Sequence, residues 1–149
     1  MRPRAVRPPV ATPERPAAPA SVSATVRVRY AETDRMGVVY YANYLVWFEV
    51  ARCELLRARG WNYRDLEADG LILPVIAAEC RYAKPAHYDD ELSIEATAAI
   101  LSPVRVAFGY RVLRGADGAT VATGRTEHAV VDRAGRPTRL PDAIREALS

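Results

Sequence analysis

The segment Glu32-Thr33-Asp34-Arg35-Met36-Gly37-Val38-Val39-Tyr40-Tyr41-Ala42-Asn43-Tyr44 sets the carboxylate of Asp34 ahead of a glycine and an apolar-aromatic run. It lies directly before the one long helical pattern of the chain. A strand entering such a turn, with a helix opening behind it, holds an acid or base beside unpaired backbone N–H groups. A carboxylate can take a proton from water or attack a carbonyl carbon itself, and the free N–H groups can hold the oxyanion that results. These are two of the parts needed to hydrolyse an activated acyl group. Asp34 also has a purely structural reading, because aspartate before a glycine-containing turn commonly caps it. Gly37 suits a site that needs positive φ or close backbone approach.

The elements that must position these groups follow from periodicity. Thr25 to Tyr30 alternates, with Val26, Val28 and Tyr30 on one face and Arg27 and Arg29 on the other, so a half-buried strand is predicted. From Asn43 to Arg59 the period lengthens. Tyr44, Trp47, Phe48, Ala51, Leu55 and Ala58 form one stripe, and Val46, Val50 and Cys53 widen it. That much apolar circumference predicts a helix covered on more than one side. Asn43 is the best N-cap candidate, with holding the loop through its amide as the alternative, and Gly60 is the expected stop. Tyr63–Ala68 reads as a short helical turn. Strands follow over Leu71–Tyr82 (irregular at Pro74), around Leu92-Ile94-Ala96, along Val104–Val112, and over Thr120–Val131 after a Gly115-Ala116-Asp117-Gly118 hairpin turn. Pro141–Leu148 reads as a terminal helix. One long apolar helix and about five strands joined mostly by short turns make an α+β domain, an antiparallel sheet with a helix against it.

Composition removes several function classes. The 149 residues carry 21 basic and 18 acidic side chains, a net charge of +3. Residues 1–24, with Arg2, Arg4, Arg7 and Arg15 against Glu14, hold all of it and leave 17 basic and 17 acidic residues beyond. A neutral domain behind a basic tail argues against a nucleic-acid partner. Six of the eleven prolines lie in that tail, which is expected to be a disordered extension of the domain at 25–149. No run of 18 apolar residues exists to span a membrane, and the tail lacks a secretory apolar block, so a cytoplasmic protein is expected. Cys53 and Cys80 are read as small core residues. With only His87 and His128 besides, no metal-ligand spacing is present and no metal is expected. Glu49 and Glu54 each have an arginine three residues on, Arg52 and Arg57, and are read as helix ion pairs. His87 is read as solvated and His128 as structural.

The run Tyr30-Ala31-Glu32-Thr33-Asp34-Arg35-Met36-Gly37-Val38-Val39-Tyr40-Tyr41-Ala42-Asn43-Tyr44 resembles the signature of hotdog-fold acyl-CoA thioesterases of the 4-hydroxybenzoyl-CoA thioesterase-like branch. Trp47-Phe48-Glu49-Val50-Ala51-Arg52, Pro74-Val75-Ile76 and Arg81-Tyr82-Ala83-Lys84-Pro85-Ala86-His87-Tyr88-Asp89-Asp90-Glu91-Leu92 continue it, over about residues 25–133. The resemblance implies a sheet wrapped around a central helix, hydrolysis of acyl-CoA to acid and free CoA, and no cofactor. Asp34 matches the catalytic aspartate, as general base or as nucleophile. Tyr41 stands where many relatives carry His, and its backbone N–H would polarise the thioester carbonyl. Gly37, Val38 and Asn43 fall in the substrate-binding turn, and Arg81, Lys84 and Arg105 are candidate cations for the phosphates of coenzyme A. A homodimer or homotetramer, with sheets joined edge to edge and sites between subunits, is implied too. Two other readings stay open at this level, a thioesterase acting on acyl-carrier-protein-bound chains and a non-catalytic acyl-CoA-binding module.

Overall fold

Five alternating segments form one antiparallel sheet in the computed structural model, which describes residues 20–149. The strands are β1 (Ser21–Arg27), β2 (Val75–Tyr82), β3 (Glu91–Ser102), β4 (Arg105–Arg114) and β5 (Thr120–Ala129). Their lateral order is β1-β3-β4-β5-β2. The three strands joined by short turns therefore fill the centre. The two strands that flank the long helix α1 (Asn43–Ala58) in sequence take the two edges. The chain leaves one edge, crosses a face of the sheet as α1, and rejoins at the opposite edge.

Alternation explains what the helix packs on. Leu92, Ile94, Ala96, Val106, Phe108, Tyr110 and Val112 are buried beneath it, and α1 contributes Tyr44, Trp47, Phe48, Ala51, Leu55 and Leu56. Each large side chain fully withdrawn from water contributes roughly 1.5–3 kcal/mol. Phe48 stacks on Tyr110 at 4.2 Å and 3° between planes. It lies flat because β5 has Gly124 there, where a Cβ would sit 2.3 Å from Phe48 Cε2. Among the described residues two smaller α-helices follow, α2 (Tyr63–Ala68), capped by the Asn62 side chain on the Asp65 N–H at 2.9 Å, and α3 (Asp142–Leu148).

Several expectations change at their edges. β1 starts at Ser21, so Ser21–Ala24, expected in the disordered tail, pair with Ala96 and its neighbours on β3. The rest of the expected tail, residues 1–19, lies outside the described residues. Tyr30 is not on the strand face; it opens a 3₁₀ turn, Tyr30–Glu32, and is exposed. On α1, Val46 and Val50 are 55% and 39% exposed, so within one chain only one side of the helix is covered. The expected Glu49–Arg52 ion pair does not form, whereas Glu54 and Arg57 do pair. No helix among the described residues is long and apolar enough to cross a membrane.

Arg52 turns inward to start a chain of polar contacts through the core. Its Nε and Nη1 donate to Tyr63 Oη (3.3 Å) and Tyr110 Oη (3.4 Å). Tyr110 meets Thr126 Oγ1 at 2.7 Å, Thr126 meets His128 Nε2 at 2.9 Å, and His128 Nδ1 meets the Leu73 carbonyl at 3.0 Å. A carbonyl only accepts, so Nδ1 carries the proton; in the neutral ring Nε2 then accepts from Thr126, and Thr126 accepts from Tyr110. His128 is fully buried, and that burial holds its pKa below the usual histidine value. Below about pH 6.5 the unfolded chain binds a proton here that the folded chain refuses. The stabilising contribution is thus complete above that pH and is lost as the solution is acidified, by at most about 1.4 kcal/mol per pH unit for one proton. Urea denaturation at pH 7.5 and 5.5 should show stability falling with acid in the native protein and falling less in His128→Gln.

Candidate active site

The turn that carries Asp34 is tied at both ends. The Asp34 N–H donates to the Val38 carbonyl (2.9 Å) and the Gly37 N–H to the Asp34 carbonyl (3.0 Å), with Gly37 at φ +77°. Closing three residues this tightly requires the positive φ that glycine supplies freely. Asp34 Oδ1 accepts the Met36 N–H at 2.8 Å, so the turn-capping use of this side chain is real. Among the described residues its Oδ2 has no protein partner. One oxygen of this carboxylate holds the turn and the other is free of it.

A buried acid that the sequence reading passed over binds this turn to the helix. Glu32 Oε1 accepts the Arg29 N–H (2.8 Å) and lies 3.3 Å from Arg29 Nε, while Oε2 accepts Trp47 Nε1 at 3.1 Å. Its carbonyl accepts both the Tyr40 N–H (2.9 Å) and Asn43 Nδ2 (2.8 Å). Asn43 is therefore an anchor of the loop, not the helix cap; the capping position falls at Ala42 and Asn43 is the first helical residue. The signal for Glu32 was available in principle, as a carboxylate two residues before Asp34 together with an indole in the facing helix stripe.

Moving the helix start by one residue changes which donors are free. The Asn43 N–H donates to the Tyr40 carbonyl (3.0 Å), but among the described residues the N–H groups of Tyr41 and Ala42 have no partner. They stand at the positive end of α1, where the dipole adds roughly half a charge. Asp34, Met36, Val38, Val39, Tyr41 and Tyr44 from this side meet Tyr82, Ala83, Lys84 and Pro85 from the end of β2 around a cavity of about 290 Å³. The Val39 N–H to the Ala86 carbonyl (2.8 Å) joins the two walls. Asp34 is the only carboxylate in this lining and Lys84 the only cation. Burial pushes the Tyr44 phenol up to about 12 and also raises that of Tyr82, so neither serves as a base near neutral pH.

Of the residues singled out in sequence, Asp34, Val38, Tyr41 and Lys84 line one cavity, with Gly37 shaping its turn and Asn43 behind it. Lys84 makes no ion pair among the described residues. Arg81 does not reach the cavity. Side chains alternate along β2, so with Tyr82 toward the helix Arg81 faces the other side, 3.8 Å from Glu79. Nor does Arg105 within one chain. It opposes Ala129 on β5, whereas Tyr82 opposes Ala122, seven positions away, or about 23 Å along the strand. Cys53 and Cys80 are unpaired and half-buried, His87 is solvated, and no group of three or more metal-ligating side chains occurs among the described residues.

Residues 28–148 match the sequence profile of the thioesterase-like superfamily. Among individual proteins, YneP of Bacillus subtilis, provisionally named an acyl-CoA thioesterase, is 37% identical over 108 residues, covering 72% of this chain and 78% of that one. A 1,4-dihydroxy-2-naphthoyl-CoA hydrolase of Synechococcus elongatus is 33% identical over 77% of this chain and 88% of its own length. The crystal structure of a DHNA-CoA thioesterase from Staphylococcus aureus superposes with a TM-score of 0.80 at 32% identity, covering 85% of this chain and 87% of that one.

Removing the Glu32 carboxylate should loosen this assembly measurably. Glu32→Ala leaves the Trp47 indole N–H and the Arg29 N–H without acceptors, a loss of about 2–3 kcal/mol, while Glu32→Gln, which keeps an acceptor oxygen, should cost about 1. Equilibrium urea unfolding of the two variants checks both figures.

Proposed function

The chain belongs to the thioesterase-like superfamily and is a hotdog-fold acyl-CoA thioester hydrolase, and from that premise we propose that Asp34 drives the reaction against an oxyanion held by the N–H groups of Tyr41 and Ala42. In the general-base route the Asp34 carboxylate takes a proton from water as the water oxygen bonds to the thioester carbon. The carbonyl oxygen becomes an oxyanion facing the helix start. Collapse of the tetrahedral intermediate breaks the C–S bond and expels the coenzyme A thiolate, which takes the proton back from Asp34. In the nucleophilic route the carboxylate itself bonds to the carbon and the thiolate leaves; water then attacks the mixed anhydride, breaking its bond to Asp34, and the water's two protons end on the released acid and on the thiolate, restoring the Asp34 carboxylate. Carboxylate, water and backbone donors balance either route, so no cofactor enters the proposed chemistry.

The observation that carries this reading is that Asp34 and Tyr41 line one cavity, with Asp34 Oδ2 and the Tyr41 N–H both unpartnered among the described residues and the equally unpartnered Ala42 N–H next along the helix start. An oxyanion donor is typically worth 10²–10³ in rate. A negative side chain close to a positive helix end suits an ester that must be attacked at carbon and stabilised at oxygen. Gly37 and Val38 shape the turn beside the acyl group, Asn43 fixes it, and the unpaired Lys84 at the rim suits a phosphate of coenzyme A. Steady-state hydrolysis of acyl-CoA with free-thiol detection tests the roles. Asp34→Asn should lose roughly 10³-fold or more in kcat while still binding acyl-CoA. Tyr41→Phe should stay within about twofold, and Tyr41→Pro, which removes the N–H, should lose about 10²–10³. Full activity in Asp34→Asn overturns the assignment.

We also propose that the working unit is a homodimer joined along β2. That strand is an open edge with Val75 and Ile76 exposed, and the uncovered stripe of Val46 and Val50 on α1 lies exposed as well. Open edges with apolar side chains are places where a second copy pairs. An antiparallel twofold seam along β2 turns the second sheet end for end. Arg105 of the partner subunit would then come to the end of the seam where Tyr82 lies, which accounts for a cation that one chain leaves far from its cavity. Charging the exposed helix face with Val46→Glu and Val50→Glu should shift the protein toward monomer in sedimentation velocity without lowering its helix content.

A further inference from the structure

The second free donor, the Ala42 N–H, belongs to the same peptide unit as the Tyr41 carbonyl, so whatever fixes one fixes the other. In a trans peptide the C=O and N–H point in opposite directions across a rigid plane. Inside a helix the carbonyl is pinned by the N–H four residues on. Here that bond is missing, because the Leu45 N–H donates to the Ala42 carbonyl at 3.2 Å. The Tyr41 carbonyl instead accepts the Tyr82 hydroxyl at 2.9 Å, from a different element, the end of β2. No backbone N–H among the described residues reaches that oxygen.

Resting on the mechanism proposed above, we propose that Tyr82 is a positioning residue: its hydroxyl anchors the Tyr41–Ala42 peptide so that the Ala42 N–H stays aimed at the oxyanion. Three features support it. The neighbouring peptide, Tyr40–Tyr41, is anchored in a different way, its carbonyl by the Asn43 N–H at 3.0 Å, so both free donors have their opposite ends tied. The Tyr82 ring is itself wedged edge-on against Tyr44 at 5.2 Å and Tyr41 at 6.5 Å, which restricts where its hydroxyl can swing. Burial raises its pKa, so the hydroxyl remains a donor throughout the working pH range. Without that donor the peptide is free to rotate, and a rotated plane would present a carbonyl dipole, not an N–H, to developing negative charge. A hydrogen bond to the carbonyl also polarises the amide and strengthens the N–H at its far side.

Tyr82→Phe keeps the ring and its contacts and deletes only the anchoring donor. Expected is a kcat lower by roughly ten- to fiftyfold, below the 10²–10³ of a donor removed outright, with KM within about twofold and an unchanged melting temperature. A second readout follows the donor directly. Infrared spectra of ¹³C=O-labelled benzoyl-CoA bound to Asp34→Asn should show a thioester carbonyl stretch shifted down from free benzoyl-CoA, and Asp34→Asn/Tyr82→Phe should lose a clear part of that shift. An unchanged kcat in Tyr82→Phe, or an equal carbonyl shift in both backgrounds, overturns the positioning role. So does a kcat loss matched by a fall in melting temperature, which would mark a structural defect. Activity retained in Asp34→Asn alone would instead strike at the mechanism, so the two failures are separable.

Discussion

The geometry around the cavity depends on one buried carboxylate. Glu32 receives the Trp47 indole N–H from α1 and the Arg29 N–H from the end of the strand region, and its own carbonyl receives two donors from the helix start. A residue at 7% exposure that accepts bonds through both its side chain and its main chain fixes the separation of two elements, here the Asp34 turn and the first turn of α1. Burial makes each of those bonds costly to break, because the donors would be left dry. Without it, Asp34 and the free N–H groups would belong to separately moving parts. Preorganisation of that kind is what lets dipoles act at a transition state without first having to turn.

The proposed chemistry asks little of side-chain identity beyond Asp34. The oxyanion donors are backbone groups, and their availability follows from where α1 begins. The N–H groups of Tyr41 and Ala42 lie ahead of Asn43, the first helical residue, and among the described residues no carbonyl takes them. An effective cap at Ala42 would have stabilised the helix by about 1 kcal/mol. The tyrosines around the cavity have a complementary role. With phenols held protonated, Tyr44 and Tyr82 supply apolar wall, and Tyr82 a hydrogen-bond donor, without adding negative charge near Asp34.

How much was legible follows the range of each interaction. Local patterns read well. α2 occupies the residues its pattern marked, α1 ends at Gly60 at φ +86°, and Gly37 takes the positive φ its turn needs. The Asp34 turn and the helix start are adjacent in sequence, so their meeting was foreseeable. What local spacing leaves open was decided by partners far along the chain. Arg52 sits at the right spacing for Glu49, yet two tyrosines, eleven and 58 residues away, draw it inward. The face on which Arg81 lies depends on β2 register, and the remoteness of Arg105 on sheet order; neither is written in local spacing. Local spacing leaves Asn43 open between loop anchor and N-cap, and its amide takes the anchor role on the Glu32 carbonyl, eleven residues back. The first four residues of β1, Ser21–Ala24, hid at the end of a segment whose proline-rich composition dominated the reading, and their pairing with β3 is a contact of long sequence range.

The same geometry bears on why β2 belongs both to the site and to the open edge. Tyr82 faces the helix start while its strand presents an unpaired ladder to solvent. A lone edge strand frays more readily than a central one, and fraying at Tyr82 would release the Tyr41 carbonyl. A second sheet laid along β2 would suppress that motion by adding ladder bonds on its free side. Under the proposed dimer, then, association would stiffen the peptide that carries an oxyanion donor, besides bringing a cation across the seam. Catalysis and assembly would be coupled through a single hydroxyl–carbonyl hydrogen bond, and the coupling would act on turnover more than on substrate affinity, because the oxyanion exists only after the carbonyl has been attacked.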